Sequence, residues 1–151
     1  LASFRTCSAY LLPRFVRSRG MNLSVFFLPT RIYWSHTDAA GIVYHGQYAA
    51  LFEMARVEWM RQLGFGQADQ GFFAVVTLNM NFVTPIMLDD LVHIGCEVTK
   101  VGASQLSLHQ HITKQDLVTT RAQVDLAWLD AETRRPRRMP QSLRSQLLCE
   151  S

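Results

Sequence analysis

Between about Gly46 and Leu63, apolar side chains recur at three- and four-residue steps: Tyr48, Leu51, Phe52, Ala55, Trp59 and Leu63. That spacing draws one continuous stripe down a long helix. Gly64 stands where a left-handed C-terminal cap is wanted, and Glu58 and Arg61 are spaced to pair across one turn. After Gly71 the period falls from 3.6 towards 2. Four β-prone runs follow, over 73–83, 91–98, 106–112 and 118–129. In the second, Val92, Ile94, Cys96 and Val98 alternate with His93, Gly95 and Glu97. In the third, Leu106, Leu108 and Gln110 share a face opposite Ser107, His109 and His111. Ahead of the helix, 31–34 (Arg-Ile-Tyr-Trp) predicts a short strand and 35–45 a loop; a short helix is expected after Pro140. The order is strand, long helix, then a four-strand antiparallel meander, an α+β class with one helix buried by the sheet. Apolar residues on both faces of the first meander strand (Val75, Leu78, Met80, Phe82) favour a subunit contact.

Composition narrows the class. The chain has 151 residues, 48% hydrophobic and 18% charged, which suits one globular domain. Three scattered cysteines, Cys7, Cys96 and Cys149, fit neither a disulfide framework nor a zinc spacing, so a reducing cytoplasm is expected. No apolar run approaches the roughly 20 residues needed to span a bilayer. The net charge of +3 is concentrated near the N-terminus and in Arg134, Arg135, Arg137 and Arg138. Such patches suit a phosphate-bearing partner, and no nucleic-acid motif accompanies them. Residues 1–20 are Arg-rich and acid-free and read as a leader or an added remnant without fixed structure, ahead of a single domain over 21–151.

At residue 37 the chain stops being generic. It runs Thr37-Asp38-Ala39-Ala40-Gly41-Ile42-Val43-Tyr44-His45-Gly46-Gln47-Tyr48, continues as Phe52-Glu53-Met54-Ala55-Arg56, and shows Pro85 followed by Leu88-Asp89-Asp90-Leu91. This pattern resembles the signature of the 4-hydroxybenzoyl-CoA thioesterase family. Within it, the chain is most similar to the bacterial acyl-CoA thioesterase branch associated with the Tol–Pal envelope system. The resemblance implies a hotdog fold, a five-stranded antiparallel sheet wrapped around one central helix. It also implies a homo-oligomer, a tetramer built as a dimer of dimers, with acyl-CoA as substrate and no cofactor or metal. The catalytic acid of the motif corresponds to Asp38. One departure stands out: many members carry an acidic residue two positions earlier, where this chain has His36.

The residues suit that chemistry. A thioester carbonyl needs a nucleophile and support for its oxyanion. The Asp38 carboxylate either attacks the carbonyl carbon to give a mixed anhydride or deprotonates a water. The first helical amides, around His45, Gly46 and Gln47, lack intrahelical partners and carry the positive end of the helix dipole, a place for a developing oxyanion. Gly41 and Gly46 permit close approach of backbone and substrate, Tyr44 is a pocket wall, and His45 is a candidate for proton transfer to the leaving thiolate. Glu53 falls off the apolar stripe and is read as structural, a partner for Arg56. The four arginines at 134–138 are candidates for the CoA phosphates. Two other readings compete: a hotdog enoyl-CoA hydratase or dehydratase using Asp38 and His45, and a non-catalytic acyl-binding or envelope-associated protein. A serine-hydrolase elbow and a Gly-rich phosphate loop are both missing from the sequence.

Overall fold

The computed structural model describes residues 12–17, 24–66 and 71–149. Six strands form a single antiparallel sheet: β1 (Arg14–Arg17), β2 (Ser24–Arg31), β3 (Phe72–Phe82), β4 (Leu91–Val101), β5 (Gln105–Lys114) and β6 (Leu117–Leu129), in the spatial order β1-β2-β4-β5-β6-β3. Helix α1 spans Gln47–Gln62 and α2 Gln141–Cys149. This is the hotdog arrangement, with α1 in the concave face. The sheet has six strands among the described residues where five were expected. The extra one, β1, falls inside the segment read as a leader; residues 1–11 and 18–23 lie outside the described residues.

The helix forms where the stripe predicts it. It is rich in strong helix formers such as Ala, Leu, Met, Glu and Arg, and it buries Tyr48, Leu51, Phe52, Ala55, Trp59 and Met60. It stops in a Schellman motif. Gly64 takes φ +81 and donates to the Arg61 carbonyl, while the Phe65 N–H donates to Met60. Only β4, β5 and β6 form the expected meander and keep the expected alternation; β3 instead crosses over to pair with β6 at the far edge, because the chain passes from β3 to β4 across the sheet rather than through a tight turn. Cys96 and Val98 of β4, Leu106, Leu108 and Ile112 of β5, and Val124 and Leu126 of β6 are all buried on the inner face.

The first full strand is displaced from its expected position. It occupies Ser24–Arg31 rather than 31–34, and Trp34–His36 form a 3-10 turn instead. The register explains this: Phe26 sits opposite Cys96 and Leu28 opposite Ile94, so that pairing buries both large side chains against β4. Tyr33 and Trp34 stay exposed.

α1 lies over β4 and β2 rather than over the whole sheet. The inner face of β6 and of the edge strand β3 therefore flanks the helix as a groove wall.

Candidate active site

The Asp38 turn is a tight hairpin. The Asp38 N–H donates to the Ile42 carbonyl (2.9 Å) and the Gly41 N–H to the Asp38 carbonyl (3.0 Å). Gly41 adopts φ +75, a left-handed conformation that suits glycine. The side chain tightens the turn further: Asp38 Oδ1 accepts the Ala40 N–H at 2.8 Å. Among the described residues no donor reaches Oδ2, and the residue is exposed. Asp38 thus does what an ordinary turn aspartate does with one oxygen and keeps the other free.

A second loop staples this turn. The Val43 N–H donates to Ile86 (2.8 Å), Ile42 bridges Met87, and the Leu88 N–H donates to Gly41 (3.2 Å). The second loop is itself held by Asp90, which accepts the Met87 N–H at 2.8 Å and pairs with Lys114 at 2.7 Å.

His36, the departure from the family pattern, has a clear job. Its Nδ1 accepts the Tyr33 N–H at 3.1 Å, closing a reciprocal cap on the 3-10 turn. A ring nitrogen does here what a carboxylate does in a capping box. That bond assigns the neutral tautomer with its proton on Nε2.

Asp38, His45, Tyr48, Phe82, Thr84 and Pro85 wall one cavity of about 320 Å³. Asp38 and His45 are thereby brought to one space at the mouth of α1. Gly46 is the N-cap and provides no side-chain cap. Among the described residues, the His45 and Gly46 amides have no acceptor, whereas the Gln47 N–H is spent on the Tyr44 carbonyl at 2.8 Å. Two of the three amides expected at the helix mouth are therefore open. Tyr44 lies over Gly46, where an added Cβ would come within 2.7 Å of its ring, and its ring centroid is 4.3 Å from that of His45. Tyr48 is buried, and its ring meets Phe82 edge-on at 4.9 Å. Burial raises the Tyr48 phenol pKa, with the Thr120 hydroxyl and Ile86 carbonyl pulling the other way, so it stays a neutral wall.

The arginine run is elsewhere. Arg134, Arg135, Arg137 and Arg138 sit on the turn after β6, tied back by the Arg137 N–H to the Trp128 carbonyl (3.0 Å). Arg137 also pairs with Asp130 at 2.6 Å. Hydrogen bonds from the Thr133 N–H, Arg137 and the Thr133 hydroxyl hold the Asp130 carboxyl well below the usual carboxylate range. Trp128 pairs with Phe73 at the start of β3, while the Asp38 cavity touches Phe82 at its end. At about 3.3 Å per residue the two ends are about 30 Å apart within one protomer.

Sequence reasoning missed one polar group. Arg56 was read only as a partner for Glu53. It is instead buried (9% exposed) and donates through Nη1 to the Gln110 Oε1 at 2.7 Å. Gln110, fully buried, donates onward to the Phe52 carbonyl (3.1 Å) and the Cys96 sulfur (2.8 Å). Burial lowers the Arg56 pKa, against the pull of Cys96 and Glu53, and raises the Cys96 thiol to about 12. That thiol is inert. The expected Glu58–Arg61 pair is present.

An antiparallel sheet wrapped on one central helix is the hotdog architecture. The thioesterase superfamily model matches residues 40–120, just over half of the chain, starting just after Asp38. The acyl-CoA thioester hydrolase YbgC of Escherichia coli O6:H1 is 33% identical over 82% of this chain and 96% of its own length. The acyl-CoA thioesterase YbgC of Haemophilus influenzae is also 33% identical, over 80% and 92%. A probable thioesterase from Bartonella henselae superposes with a TM-score of 0.72 at 30% identity, over 76% and 98%. The chain belongs to the thioesterase superfamily.

Proposed function

We propose that this chain is an acyl-CoA thioesterase that hydrolyses short- or medium-chain or aromatic acyl-CoA to the free acid and CoA, with Asp38 as its working carboxylate. The observation that carries this is that Asp38 and His45 wall one cavity at the start of α1, where among the described residues the His45 and Gly46 amides have no acceptor. The thioester carbonyl sits with its oxygen towards the His45 and Gly46 N–H groups. Asp38 attacks the carbonyl carbon or takes a proton from the water that does. The amides hold the oxyanion. Collapse breaks the C–S bond, and His45 supplies the proton that the thiolate takes up. On the nucleophilic route, water then opens the mixed anhydride, restoring the carboxylate and returning a proton to His45; on the general-base route the proton that Asp38 took from water is the one returned to His45. The similarity to YbgC supports a place in the Tol–Pal-associated branch.

The active enzyme in this reading is a homo-oligomer. β3 is an edge strand that exposes Val75, Val76 and Phe82, and an unpaired apolar edge is a template for pairing. Antiparallel self-pairing of β3 sets the Phe73 end of one protomer beside the Phe82 end of its partner. The arginine turn, remote from Asp38 in its own chain, then lies by the partner's cavity and meets the CoA phosphates there. Pairing two such dimers gives the tetramer.

A thiol-release screen across acyl-CoA substrates tests the reading. Turnover of at least one acyl-CoA is expected. Hydration of an enoyl-CoA without thiol release, or tight acyl-CoA binding without turnover, would overturn it.

A further inference from the structure

The cavity that Arg56 enters has no role in the chemistry above. It measures about 160 Å³ and is walled by Trp59, Met60, Phe73, Val75 and Leu126, with Arg56 and Glu53 on the helix side. Among the described residues, no carboxylate lies within ion-pairing distance of Arg56; its hydrogen bond goes to a neutral amide. A buried guanidinium answered by one neutral acceptor is costly, and it leaves donors for an oxygen that enters the cavity.

This cavity and the Asp38 cavity stand at two ends of one apolar row. On β3, Phe73, Val75, Leu78, Met80 and Phe82 pair with Trp128, Leu126, Val124, Ala122 and Thr120 of β6. All five partners are buried on the inner face, and paired residues share a face. Phe82 walls the Asp38 cavity, while Phe73 and Val75 wall the Arg56 cavity. α1 runs beside the row, with Tyr48 at the first cavity and Arg56 at the second. The two cavities are about 12 Å apart along the helix, from Tyr48 to Arg56, and about 23 Å apart along the strand, from Phe82 to Val75.

We propose that this row is the acyl track, and that the Arg56 cavity selects acyl chains carrying an oxygen acceptor, a hydroxyl or carboxylate, at the end remote from the thioester. This rests on the thioesterase reading of the Asp38 cavity and narrows its substrate class. An acyl chain lies along the β3 row with its carbonyl at Asp38, and its far oxygen accepts from Arg56. Glu53 at the rim disfavours a carboxylate relative to a hydroxyl.

The test compares matched CoA esters with the full chain. ω-Hydroxydodecanoyl-CoA against dodecanoyl-CoA should show about a tenfold or greater advantage in kcat/KM, the gain of a charge-assisted hydrogen bond. ω-Hydroxybutyryl-CoA against butyryl-CoA, too short to reach, should show none. Arg56→Met should bring the dodecanoyl ratio towards one. Glu53→Gln should improve the ω-carboxylate ester relative to the ω-hydroxy ester. Should Arg56→Met fail to fold, the two wild-type ratios still decide. Equal ratios for long and short pairs, or no preference for the long pair, overturn the proposal while leaving thioesterase activity standing. No turnover of any ester sinks the thioesterase reading instead. In that case calorimetric binding of the dodecanoyl pair to Asp38→Asn reads the cavity directly, and equal affinities overturn the proposal.

Discussion

Asp38→Asn separates chemistry from structure because the two carboxylate oxygens have different duties. Oδ1 accepts the Ala40 N–H at 2.8 Å and holds the turn; asparagine keeps an oxygen there. Oδ2 touches no protein donor, so its replacement by an amide breaks no contact. The side chain is exposed, and the stability change is expected within about 0.5 kcal/mol. The loss in catalysis is much larger. An amide neither attacks a thioester nor accepts a proton from water, and acid–base groups of this type contribute about 10²–10⁴-fold. That corresponds to about 3–5.5 kcal/mol on the barrier. The assay is thiol release from the best acyl-CoA of the screen, run beside thermal unfolding and a sedimentation measurement of the assembly. A variant with the wild-type midpoint and oligomer that keeps more than a tenth of wild-type kcat/KM would refute the role given to Oδ2.

Three further outcomes follow from the remaining groups. Gln110→Leu strands the buried Arg56 guanidinium, so the urea midpoint should fall by the equivalent of about 3–5 kcal/mol; an unchanged midpoint would mean Arg56 finds another acceptor. His111 packs over Gly95 with its ring edge-on to Phe27 at 5.5 Å and stacked on His109 at 5.7 Å, with Arg121 opposite it and Glu97 3.7 Å from His109. Burial first, then His109 and Arg121, push its pKa from 6.5 down to about 4. The unfolded chain takes a proton below about 6.5 that the fold refuses until about 4, so stability falls as pH drops through that window, by up to about 3 kcal/mol. His111→Phe should flatten that slope in chemical denaturation series, and an unaltered slope would place the sensitivity elsewhere. Arg135→Glu with Arg138→Glu should raise KM for acyl-CoA about tenfold, yet leave KM for the matching acyl-pantetheine in place; equal effects on both esters would remove the arginines from phosphate binding.

The helix was legible because its stripe, its helix formers and Gly64 all agree. β4, β5 and β6 were legible because alternation survives wherever one face of a strand is polar, but the crossover that takes β3 to the far edge beside β6 leaves no mark in the local pattern. β2 was not. Val25, Phe26, Phe27 and Leu28 form an unbroken apolar run with no period to read, while Tyr33 and Trp34 have strand propensity and sit in a turn. The motif around Asp38 located the turn, but the division of labour between its two oxygens depends on the Ala40 N–H. Arg56 lies four residues after Phe52 and three before Trp59, on the buried stripe. Gln110 stands in line with Leu106 and Leu108. Two polar residues at inward positions on facing elements were a signal of a buried pair. The arginine turn could not be placed at all without knowing which end of the sheet it joins.

The stapling of the Asp38 turn to the Ile86–Leu88 loop has a consequence for how this enzyme diversifies. Two hydrogen bonds, at Val43 and Gly41, flank the Ile42–Met87 bridge and tie the Asp38 turn to a rigid frame, whereas the cavity wall at Phe82 belongs to an edge strand with one open side. Substitutions along β3 can therefore reshape the cavity without moving Asp38. Amide exchange should report the same split, with slow exchange at Val43 and fast exchange along the open side of β3 in any protomer separated from its partner.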